Sequence, residues 1–205
     1  MLKEINISNA VKPEQGAEMN LYDTLINSFE QADAEFEQTE SDALLQKRRE
    51  AFAYFQSQKF PTTKNEEWRF TNITPFVNST YNLRSDNWVE PATIEKALKK
   101  AEVKNLDAYR LVLVNGNINY EYSQLPESDE INIQSIGKTK NDAAFSESIN
   151  KNIDVAKFPF AALNTAFFED GYFIEVKKNA QLDKSIYVIH IYSEKHFYYS
   201  QLYNK

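Results

Sequence analysis

The sequence predicts an α+β protein in which the helices come first and the strands follow. Three observations carry that reading. Apolar residues recur at helical steps between Ala17 and Phe60, Asn115-Gly116 separates two apolar runs, and strand-length runs follow Gly171 with polar corners between them. Runs of helices and then runs of strands, without regular alternation, belong to α+β rather than doubly wound architectures.

Composition bounds the rest. At 205 residues, 42% hydrophobic and 26% charged, the chain can bury one substantial core or two modest ones. Aromatic content is 14%, mostly Phe and Tyr, which favours half-buried sheet surfaces. With only four glycines, left-handed backbone positions must partly fall to Asn. A net charge of −7 disfavours a phosphate-backbone binder, so no nucleic-acid partner is expected. The absence of cysteine excludes disulfides, thiolate metal sites and cysteine nucleophiles within the chain. No apolar run reaches bilayer-spanning length and MLKEINISNAVKP lacks a signal-like apolar centre, so a cytoplasmic protein without a membrane partner is expected.

Residues 1–16 read as a loose tail. Residues 17–60 read as a helical hairpin. Its first helix carries Leu21, Leu25, Phe29, Ala32 and Phe36 on one face. Thr39, with Asp42 three residues on, predicts the cap of the second helix. There Leu44, Leu45, Phe52 and Phe55 form the apolar face, with Lys47, Arg48 and Arg49 mostly opposite. Pro61 ends that helix. Residues 61–108 read as a linker with a short helix over about Ala92–Ala101, Pro91 in its first turn and Trp88 as a local anchor.

Residues 109–205 form the β-rich region. Tyr109–Val114 and Ile118–Tyr122 flank the Asn-Gly turn and predict a hairpin. Ile131, Ile133 and Ile136 form a strand closing near Gly137, and Asn141–Asn150 a short helix. Phe160, Leu163 and Phe167 share a helical face that ends at Asp170-Gly171. Tyr172–Lys177, Ile186–Tyr192 and Phe197–Tyr203 are the remaining strands. Periodicity alone leaves a β-helix, a sandwich and a meander open.

Two strings carry a family resemblance. Phe60-Pro61-Thr62, Lys64 and Glu66-Glu67-Trp68-Arg69-Phe70-Thr71, placed after a helical hairpin, resemble the N-terminal signature of the SufB/SufD family, and its SufD branch more than its SufB branch. Those proteins are scaffold subunits of the SUF iron–sulfur cluster assembly machinery. The string from Phe160 to Gly171, followed by a strand and then by Ile186, Val188, Ile189 and His190, resembles the start of the family's β-helix core. Family members have a Lys-Gly-Val-like corner between those strands, where this chain has Lys178-Asn179-Ala180; Asn tolerates the left-handed backbone.

The resemblance implies the first rungs of a β-helix in residues 109–205, cut short relative to family members, so that the chain is expected to be an N-terminal part of a longer protein. It implies a non-catalytic scaffold working with a SufB-like subunit and a SufC-like ATPase, and self-association through an open β edge. No cofactor is expected in this chain, an iron–sulfur cluster or flavin belonging only to the assembled complex. No catalytic or metal residue is carried over. Pro61–Thr71 and Phe160–Gly171 become structural joints between the helical lead-in and the core.

Other residues offer alternative chemistry. Adjacent Glu66 and Glu67 diverge on either a helix or a strand, so capping beside anchors Trp68 and Phe70 is favoured over acid–base work. His190 and His196, with Glu194 nearest, lack the further ligands a metal needs. Glu66 or Glu67 with His190 is the enzyme alternative. Tyr198, Tyr199 and Tyr203 as an exposed patch would mark a free-standing protein- or carbohydrate-binding module.

Overall fold

The computed structural model describes residues 20–79, 81, 88–193 and the backbone of 200–204. The 1–16 tail, His196, Glu194, Tyr198 and Tyr199 lie outside these residues. Helix α1 (Leu21–Thr39) and helix α2 (Asp42–Gln58) form the hairpin. Asn20 caps α1, its Oδ1 accepting from the Asp23 N–H at 3.1 Å. The expected Thr39 cap of α2 is not formed. Thr39 is the last residue of α1 and its hydroxyl donates to Glu35 O, while Ser41 takes the N-cap position. Asn141 clasps the turn instead, accepting from Ser41 N–H and donating to Thr39 O.

After α2 the chain makes a 3₁₀ turn (Glu66–Trp68), helix α3 (Thr74–Val77) and helix α4 (Pro91–Ala101). Trp88 is not an anchor: it is 76% exposed, and Val89 beside it enters the core. Ile94, Ala97, Leu98 and Ala101 of α4 cover one sheet, as their spacing predicts.

Strand β1 (Ala108–Val114) turns through Asn115-Gly116 into β2 (Asn117–Ile118). Both turn residues have positive φ, at 50° and 88°, the primed-turn geometry that matches strand twist. The hairpin is shorter than predicted. Asn119 Oδ1 accepts from Tyr122 N–H and Ser123 Oγ donates to Asn119 O, curling the second arm into a turn before Gln124 bridges back to Arg110. Strand β3 (Ile131–Ser135) stops before Ile136, which opens helix α5 (Ile136–Thr139) and is fully buried there. Ser135 Oγ accepts from the Gly137 N–H and so ends the strand.

Helix α6 (Ala143–Ser148) precedes helix α7 (Pro159–Phe167), then β4 (Asp170–Val176), β5 (Ser185–Ile191) and β6 (Ser200–Asn204). Among the described residues two three-stranded sheets result, in orders β2-β1-β5 and β3-β4-β6. β5 lies parallel to β1, with Leu111 opposite Val188, and β6 parallel to β4, with Asp170 opposite Ser200. β3 is antiparallel to β4. Successive strands β4, β5 and β6 thus alternate between sheets. The corner between β4 and β5 places Asn179 at φ 68°.

The sheets share an apolar interior of Leu111, Leu113, Ile133, Tyr172, Ile174 and Val188. Val112, Val114, Ile189 and Ile191 point the other way, beneath α4. Phe173 leaves the strand on the face toward Leu44, Phe145 and Phe168, so β4 is covered on both sides at that position. The hairpin joins α7 in a further cluster where Phe29 and Phe52 stack at 3.7 Å and Phe167 meets both edge-on.

Candidate functional site

The segments predicted to be joints meet each other. Trp68 lies 5.3 Å from Phe160 between ring centroids, and Phe60 lies 5.6 Å from the same ring. Thr62 donates its N–H and its hydroxyl to Asn65 Oδ1, holding the loop in shape. Phe70 does not anchor the segment. It is 92% exposed, with the Arg69 guanidinium over its ring at 5.4 Å. Glu66 and Glu67 are both exposed on the 3₁₀ turn.

A second connection was not expected from the sequence. Arg48, placed among the outward-facing basic residues, is fully buried. Its Nε and Nη2 donate to the two carboxylate oxygens of Glu40, at 2.6 and 2.9 Å. Nη1 donates to Ala166 O at 3.1 Å and Nη2 to Phe168 O at 2.8 Å. Phe36 and Phe168 sandwich the guanidinium, each ring centroid 3.9 Å from it. The group therefore closes the helical hairpin and terminates α7 at once, satisfying carbonyls that helix ends leave open. This explains why α7 stops at Phe167 rather than at Gly171, which lies inside β4. Lys140 Nζ, 3.0 Å from Glu40 Oε1, adds a second cation to the buried carboxylate. A signal was present: Leu44, Arg48, Phe52 and Phe55 fall on one stripe of α2, and a cation on an apolar stripe needs a buried partner.

The β region is pinned at two corners. The Asp170 carboxylate accepts from Ser135 Oγ at 2.7 Å and from the N–H groups of Gly137 and Gly171 at 3.0 and 2.8 Å. Asn115, 4% exposed, accepts through Oδ1 from Ser193 N–H at 3.1 Å and donates through Nδ2 to Ser193 Oγ at 3.0 Å. The hairpin turn thereby fixes where the chain leaves β5.

His190 sits on β5 opposite Leu113, its ring 6.2 Å from those of Tyr172 and Tyr192. These neighbours displace water and hold its pKa below the ordinary 6.5. The same burial pushes the Tyr172 phenol up. Among the described residues no hydrogen bond or ion pair connects Glu66 or Glu67 with His190, and no three His, Asp or Glu side chains gather as a metal site. With no cysteine in the chain, these residues do not fit an iron–sulfur cluster by themselves. Tyr203 lies on β6, opposite Phe173 in register. No helix among the described residues is long and apolar enough to cross a membrane.

The arrangement is thus a set of interlocked joints carrying two small sheets. Comparison with known proteins agrees in extent: the family model described as the SufBD protein N-terminal region matches residues 19–188. No curated protein matches the chain.

Proposed function

The chain belongs to the SufB/SufD family, and from that premise we propose that it is a SufD-like, non-catalytic scaffold subunit in SUF-type iron–sulfur cluster assembly. The observation that carries this reading is the family match across the helical hairpin, the joint segments and the strands through residue 188. The cluster is cargo of the assembled complex, and a SufB-like subunit and a SufC-like ATPase supply the ligands and the energy. This chain contributes the helical lead-in and the surface on which the strands stack.

We further read the two sheets as the first coils of a β-helix. Supporting this, β4 and β6 pair in parallel while the intervening β5 lies in the other sheet. A coiled β stack grows in this way, each circuit adding one strand to each face. The SufD-like rather than SufB-like assignment leans on the Phe60–Thr71 string.

The test is affinity purification of the tagged protein from its own cells. Recovery of an ATPase and a second SufB/SufD-type subunit in stoichiometric amounts is the expected result. Recovery of neither, with normal cluster enzyme activities in a deletion strain, would overturn the proposal.

A further inference from the structure

Between the end of α4 and the outer face of the β1–β5 pair lies a cleft of about 570 Å³. That volume is within the roughly 300–1,000 Å³ range of small-ligand sites. Its lining includes the apolar residues Leu98, Val103, Leu106 and Ile189. Val103 and Leu106 are 51% and 45% exposed.

Arg110, half-buried on β1, lines the same cleft from the sheet face that also carries Ile189. Its Nε is used, donating to Tyr122 O at 3.0 Å. Its two terminal nitrogens have no partner among the described residues, in contrast to Arg48 and Arg49, whose guanidinium groups both grip carboxylates. Tyr187, also on the wall, has its hydroxyl committed to Ala101 O. Lys99 lines the same cleft and Glu102 supplies one opposing charge, so the cations prevail. A planar guanidinium held from one nitrogen and partly withdrawn from water is preset for a two-pronged bond to a carboxylate.

We propose that this cleft binds a carboxylate carried on a compact apolar body, the acid on Arg110 and the body against Leu98, Val103 and Leu106. The site lies on the face of the β1–β5 sheet away from the inter-sheet core, and it stands apart from the cluster-assembly reading. A free organic acid and the C-terminal residue of a peptide share this chemistry.

The test is a nitrogen–proton NMR titration of the full chain with three probes: 3-phenylpropionate, its neutral amide, and an acetylated dipeptide ending in phenylalanine with a free carboxylate. Expected are saturable shifts at Leu98, Val103 and Leu106 for one or both acids, with the amide at least about tenfold weaker, as loss of a charge-assisted bond implies. A tighter dipeptide identifies a chain terminus as the natural occupant, and a tighter free acid a small molecule. Arg110→Gln should weaken the acids at least about tenfold and leave the amide unchanged. Arg110→Lys, which keeps the charge and loses the fork, should fall between. Equal affinity of acid and amide for the unsubstituted chain, or no saturable shift up to roughly 10 mM, would overturn the proposal without reference to any variant.

Discussion

Arg48 and Glu40 form a two-pronged ion pair, at 2.6 and 2.9 Å, with both side chains wholly removed from solvent. One residue along the helix, Arg49 pairs with Asp33 at 2.8 Å while remaining 46% exposed. The two neighbours therefore test burial against contact. Arg48→Ala leaves the buried Glu40 carboxylate with Lys140 as its one paired cation among the described residues and frees the α7 carbonyls, and should cost about 3 kcal/mol, the lower end of what breaking a buried pair costs. Arg49→Ala should cost far less, because water screens the exposed pair. Urea denaturation of both variants checks this, and equal losses would refute it.

Phe167 meets Phe29 and Phe52 edge-on in the cluster that joins α7 to the hairpin. Phe167→Ala should destabilise the fold by about 3–5 kcal/mol through lost transfer energy and the cavity left behind. Phe70→Ala, on a ring 92% exposed, should change stability by less than about 0.5 kcal/mol. Thermal melts of the pair measure the contrast.

Asn115 combines a φ of 50° with two hydrogen-bonded contacts to Ser193. Asn115→Ala forfeits both and forces a Cβ residue of lower left-handed tolerance into the turn, an expected loss of about 1–3 kcal/mol. Asn115→Gly restores the backbone freedom but not the bonds, and should recover only part of it. Amide exchange near Ile191 should quicken in both variants.

His190 is held neutral more strongly in the fold than in the unfolded chain, because its neighbours displace water. With a folded pKa below the unfolded value of about 6.5, the unfolded state binds the extra proton first. This group's contribution therefore leaves stability unpenalised above that value, and reduces it as pH falls from there to the folded pKa. The effect is small, since the residue stays partly in water. A proton NMR titration of the ring should give a midpoint below the free-imidazole value, and His190→Gln should flatten stability across that window. A midpoint at or above the free value would contradict the assignment.

Much of the architecture was legible because local chemistry and tertiary structure agree. Helical stripes placed α1, α2, α4 and α7, and Asn-Gly placed the β1–β2 turn. The scarcity of glycine predicted that Asn would take left-handed positions, and Asn105, Asn115, Asn150 and Asn179 all do so. What stayed hidden depends on partners far along the chain. Arg48 reads as a surface cation until Glu40, Phe168 and the end of α7 enclose it. Phe70 and Trp88 read as anchors because an aromatic residue carries no sign of whether a cavity awaits it. The parallel pairing of β1 with β5 has no local signature, since the partners are separated by the whole middle of the sequence. The Arg110 cleft arises from that pairing and from the loop after α4, and was equally invisible.

The clasp between α2 and α7 also sets a schedule for synthesis. Arg48 finds its Ala166 acceptor 118 residues downstream, so a ribosome working at about 5–20 residues per second exposes the greasy side of the first two helices for roughly 6–24 s before their cover emerges. During that interval the nascent hairpin displays Phe29, Phe52 and an uncapped cation to the surrounding solvent and macromolecules. Chaperone demand should therefore fall on the opening third of the polypeptide, and slow codons placed before Pro159 would lengthen it.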